Sequence, residues 1–124
     1  MTKRLILLIC TILLSGCGQV QDELIVISEK WPAEHISDIH FNPRSYEGKT
    51  IRIMGFYDDT NYYGEPSNFV YKSLECCGIH DVAGLEFTWD GELPQTGSHI
   101  QVTGTARILE DRVVLVDVEL EKLE

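Results

Sequence analysis

Basic residues are scarce in this chain. Ten Lys and Arg stand against twenty Asp and Glu among 124 residues, a formal net charge of −10. A surface of that sign repels phosphate backbones and anionic lipid, which argues against a nucleic-acid-binding role. The sequence also lacks a G-x-S-x-G elbow, an H-E-x-x-H pair and a Gly-rich phosphate loop. With them go the usual signatures of serine hydrolases, zinc proteases and nucleotide-binding enzymes, and no catalytic residues are assigned. Cysteine is limited to four residues, none in a C-x-x-C arrangement, so the strong zinc and dithiol signatures are missing too. No apolar run reaches the about 20 residues that a membrane-spanning helix needs.

What the N-terminus does have is an export pattern. Lys3 and Arg4 form a basic start, and Leu5 to Leu14 follow as an apolar run broken only by Cys10 and Thr11. That run has the size of a signal-peptide core. It ends in Leu14-Ser15-Gly16-Cys17, which resembles the lipobox of bacterial lipoproteins. The resemblance implies that residues 1–16 are removed and that Cys17 becomes a lipidated N-terminus, held in the cell membrane or outer membrane with its domain outside the cytoplasm. Two or more acyl chains anchor stably where a single one does not. Cleavage there leaves 108 residues, eight basic and twenty acidic, with a net charge of −12. Cations, or a basic patch on a partner, are the ligands such a balance attracts.

Residues 17–23 then make the lipidated Cys and a short polar tether, and residues 24–124 suffice for one domain. Leu24 to Ile27 is a candidate first strand. Ser28 with Pro32 marks a helix start, and Ile36 and Ile39 lie at a helical interval before the Asn42-Pro43 turn signal. From Lys49 onward the pattern is that of strands: Ile51 to Tyr57, Phe69 to Leu74, Leu85 to Trp89, and Ile100 to Leu109. A tight turn at Glu110-Asp111-Arg112 leads into a last strand. There Val114, Val116, Val118 and Leu120 are expected on one face and Asp117, Glu119 and Glu121 on the other. Five short strands and an N-terminal helix predict a mostly β fold: a small, partly open OB-like barrel, with a β-sandwich as the alternative. Gly55 and Gly104 stand inside strands, where barrel walls bend or bulge.

Reactive groups concentrate in Leu74 to Asp81 (LECCGIHD). If the strand ends near Gly78, Cys77 and His80 lie three apart in a turn, a spacing from which both reach one ion. Cys76, Cys77, His80 and Asp81 are therefore the candidate metal ligands, with zinc the natural occupant of a thiolate–imidazole site. Two other readings stand beside this one: a vicinal disulfide or redox pair in an oxidising compartment, and purely structural cysteines. Tyr57, Tyr62 and Tyr63 form a tyrosine-rich loop that is a candidate partner-binding surface, or alternatively a cap on one end of the barrel. Trp31 and Trp89 are expected in the core.

One further likeness emerges from the order of these pieces. The run Tyr46-Glu47-Gly48-Lys49-Thr50-Ile51, then Gly55-Phe56-Tyr57, then Phe69 into Cys76-Cys77, and finally His99 to Gly104 resembles the C-terminal module of a family of permease subunits. The resemblance spans residues 39–123. It implies an accessory role beside an integral-membrane permease and a link to metal supply, zinc above all. The family's C-C-x-A-D-A departs here to Cys76-Cys77-Gly78-Ile79-His80-Asp81, so that its Asp falls at His80 by strict spacing and at Asp81 with a shift of one.

Overall fold

The computed structural model describes residues 23–59, 67–76 and 79–123, with the backbone alone for residues 74–76 and 79–81. It contains strand β1 (Leu24–Val26), helix α1 (Pro32–Phe41), a 3-10 turn (Pro43–Ser45), and strands β2 (Thr50–Asp58), β3 (Asn68–Cys76), β4 (Ile79–Phe87), β5 (His99–Leu109) and β6 (Arg112–Lys122). The strands run in the order β2-β3-β4-β6-β5 and return to β2, which closes a five-stranded barrel. Four of its ladders are antiparallel, and β4–β6 is parallel. This is the OB-like barrel expected from the strand pattern, with β1 added in parallel along the first half of β2.

Alternation explains the walls. In β2, Ile51, Ile53 and Tyr57 point inward and are buried, and in β5 Ile100, Val102 and Ala106 do the same. Val70 from β3, Leu85 and Phe87 from β4 and Val113 and Leu115 from β6 complete the interior. The helix covers the barrel where closure is weakest. It contacts β4 and β6, which share a ladder of only two pairs, Glu86↔Val114 and Phe87↔Leu115. Its Ile36 and Ile39 are buried, as their spacing predicted. Pro32 stands in the first turn, but Trp31 rather than Ser28 is the N-cap residue. The Ser28 hydroxyl instead accepts hydrogen bonds from the Lys30 and Trp31 amides, shaping the approach to the helix.

Two details differ from the sequence expectation. β4 begins at Ile79, not Leu85, and pairs with β3 over nine positions. Its first half (IHDVAG) lacks the β-branched alternation that marks a strand, and is held by the hairpin ladder instead. In β6, the alternation breaks once. Thr103 pairs with Glu119 but Thr105 with Val116, so two residues of β6 oppose Gly104. Asp117 takes up the bulge with φ 51°. Val113 and Leu115 therefore face the core before the bulge and Val118 and Leu120 pack against it afterwards. Gly104 is required there, because a Cβ would lie 2.8 Å from a Val118 methyl and 3.0 Å from the Val116 carbonyl oxygen.

Candidate functional site

The outer wall of the barrel carries a row of three rings. Phe56 in β2 pairs with Tyr71 in β3 on one side and with His99 in β5 on the other. The ring centroids are 5.9 Å apart for Phe56–Tyr71 and 5.2 Å for Phe56–His99, the latter nearly stacked at 30°. Phe56 is 39% exposed, unusual for a phenylalanine at the centre of a sheet. Large exposed apolar rings supported by a rigid wall are the usual anchors of protein contacts.

Beside the row lies a groove of about 230 Å³, bordered by Met54, Phe56, Ser73 and His99 on the wall and by Glu29 and Lys72 at its edge. Its origin is topological. The edge of β2 is divided, pairing with β1 at Thr50–Arg52 and with β3 only from Phe56 to Asp58. Gly55 stands at the division, where a Cβ would lie 2.4 Å from the Tyr71 carbonyl oxygen. Lys72 is buried, and its ammonium meets the more exposed Glu29 carboxylate at 2.8 Å. The pair fastens the chain after β1 to the barrel. A buried ammonium is tolerated only with such a partner.

A second, open groove of about 550 Å³ runs along Thr88–Gly91 and Val116–Val118. The Trp89 indole lies in it and donates to the Glu92 carbonyl oxygen. Asp90 and Asp117 are exposed on its rim.

The β3–β4 hairpin holds the candidate metal ligands. Its ladder runs to the tip, with Cys76 opposite Ile79, Glu75 opposite His80, and Leu74 opposite Asp81. His80 and Asp81 are thus consecutive strand residues rather than parts of the turn anticipated from Gly78, because pairing leaves only positions 77 and 78 to connect the strands. Cys77 itself lies outside the described residues, as do Cys17, Tyr62 and Tyr63. Among the residues whose side chains are described, no group of three or more His, Cys, Asp and Glu converges on a metal position.

Tyr57 corrects an expectation. It is 1% exposed, packs against Phe87 and donates its hydroxyl to Asn68 Oδ1 at 2.6 Å. A ring so enclosed belongs to the core and cannot form part of a contact surface. Burial, with Asp59 and Asp58 nearby, pushes its hydroxyl above the ordinary tyrosine value. Trp31 errs in the opposite sense, being 59% exposed. Trp89 packs against the core as expected. The outward row of rings is hard to read from the sequence because Phe56 and Tyr57 are adjacent aromatics. Alternation sends one inward and one outward, and the Ile51–Ile53 spacing was the signal that Tyr57 goes in.

Tyr46 donates a short hydrogen bond to the Asp38 carboxylate, and Asn42 adds a second at 2.7 Å. These bonds hold the Asp38 carboxyl below the usual range and push the Tyr46 hydroxyl up. They join α1 to the segment leading into β2.

No family model matches the chain, and no curated protein shows significant similarity to it.

Proposed function

We propose that this protein is a lipid-anchored binding module of the bacterial cell envelope, tethered through Cys17, that serves a membrane-embedded partner such as a permease. The observation that carries the binding role is the exposed Phe56 between Tyr71 and His99 on the barrel's outer wall. The lipid anchor rests on the lipobox pattern and the permease on the sequence resemblance. The closed barrel supplies a rigid platform, and no enzyme chemistry is assigned to it. A net charge of −12 after cleavage favours a partner with a basic rim around an apolar centre.

A photo-crosslinking residue at Tyr71, introduced into the full chain in cells, tests this reading. The expected product is an adduct with an integral-membrane protein that Phe56→Asp abolishes. Absence of any adduct at Tyr71, with normal amounts of folded protein, would refute it.

A metal-binding role for the β3–β4 hairpin is a second part of the proposal. Its support is the concentration of Cys76, Cys77, His80 and Asp81 within six residues of sequence, between the end of β3 and the start of β4. Thiolate and imidazole together favour zinc. Elemental analysis of reduced protein should give one zinc per chain, lost in Cys77→Ser and His80→Ala. No stoichiometric metal under reducing conditions would sink this reading and leave the cysteines as structural or redox-active.

A further inference from the structure

Exposed apolar side chains are distributed unevenly over this molecule. Of the eight large ones among the described residues, Leu24, Val26, Trp31 and Phe41 fall between residues 24 and 41. That is the segment nearest Cys17. Leu24 and Val26, 44% and 52% exposed, share the outward face of β1 while Ile25 packs on the core. Trp31, which caps α1, is among the most exposed of the eight, and the Lys30 ammonium lies 5.7 Å from the centre of its ring. A tryptophan beside a lysine is the pairing that settles at a membrane–water interface. There the indole takes the headgroup level and the lysine keeps its charge in water.

Chain length limits where this face can go. Six residues, 18–23, separate Cys17 from Leu24, and fully extended they reach about 20 Å. Resting on the lipid-anchor reading above, that reach holds β1 at or near the headgroups however the tether runs. We infer that the β1–Trp31 edge of the domain lies on the bilayer surface, with Leu24, Val26 and Trp31 in the interface. The partner-binding row at Phe56 is then presented from a fixed orientation rather than from a freely tumbling domain. The strongly acidic surface selects a zwitterionic lipid over an anionic one. Apolar contact and proximity, not charge, drive the docking.

The two tryptophans make this directly measurable. Full-length lipidated Trp89→Phe protein, whose one remaining tryptophan is Trp31, is reconstituted into phosphatidylcholine vesicles brominated near the top of the acyl chains. The expected result is blue-shifted emission that the brominated lipid largely quenches, and weaker quenching when anionic lipid is mixed in. The difference between wild type and Trp31→Phe supplies the same signal without altering the core-packed Trp89. Protein that floats with the vesicles while Trp31 stays unquenched overturns the inference and leaves the anchor reading intact, including the case where a second protein shields the ring. Protein that does not float at all overturns the anchor reading and this inference together.

Discussion

Arg112 grips Glu86 with two sides of its guanidinium, Nε to Oε1 at 2.7 Å and Nη2 to Oε2 at 3.3 Å. The pair spans β6 and β4 at the two-residue parallel ladder that completes the barrel. Neither side chain is freely solvated, at 22% and 12% exposed, and the Glu86 hydrogen bond raises the Arg112 guanidinium above its ordinary value. Two parallel charge-assisted bonds fix geometry as a single lysine–carboxylate contact does not. Arg112→Lys should therefore lower the melting temperature nearly as much as Arg112→Ala. Equal stability of the lysine variant and wild type would show that charge alone closes the seam.

Tyr57→Phe keeps the ring and removes one hydroxyl, leaving Asn68 Oδ1 without its donor. Loss of a single part-buried bond of this kind costs about 1–2 kcal/mol, read as a shift in the urea midpoint at unchanged slope. A neutral result would mean that Asn68 finds another partner at no cost.

Both central residues of the β5–β6 turn, Glu110 and Asp111, have positive φ, 51° and 66°. That is the type I′ geometry that Asn-Gly adopts with least strain. Replacing the two by Asn and Gly should stabilise the domain by about 1 kcal/mol, despite loss of the exposed Glu110–Arg112 contact, which counts for little at the surface. Destabilisation in a thermal melt would contradict the geometry. Gly55→Ala, by contrast, drives a methyl against the Tyr71 carbonyl oxygen and should cost about 2 kcal/mol.

Stability should fall at both ends of the pH scale for different reasons. Asp38 has a lowered value in the fold, chiefly through Tyr46 and then Asn42. Its contribution is present above the unfolded carboxylate value near 4 and is lost as pH drops through the lower folded value. Tyr57, raised by burial, and Tyr46, raised by Asp38, act oppositely. Their contribution is full below about pH 10 and is lost as pH climbs through the raised values. Asp38→Asn should flatten the acid limb of the melting temperature. An unchanged acid limb in that variant would show that Asp38 does not set it.

The parts of the fold legible in the sequence are those with local repetition. β5 and the turn into β6 follow from alternating apolar residues, and the helix follows from Ile36, Ile39 and Pro32. What stayed hidden depends on partners distant in the chain. The first half of β4 is a strand because β3 lies beside it, and barrel closure depends on β2 meeting β5 and β4 meeting β6. The Asp117 bulge hides because every apolar position after it still reads as alternation. At the proposed contact surface, the sequence pointed to Tyr57 with Tyr62 and Tyr63, whereas Tyr57 is buried and its neighbour Phe56 is the exposed ring. The cysteine hairpin was found as a composition, while its register came from the pairing of β3 with β4.

Both the proposed location and the membrane-facing edge depend on Cys17. The most direct test is the mass of the N-terminal peptide of full-length protein purified from bacterial membranes. The expected result is a chain that begins at Cys17 and carries a diacylglyceryl group on its sulfur. An N-terminus elsewhere, or Cys17 recovered as an unmodified thiol, would contradict it.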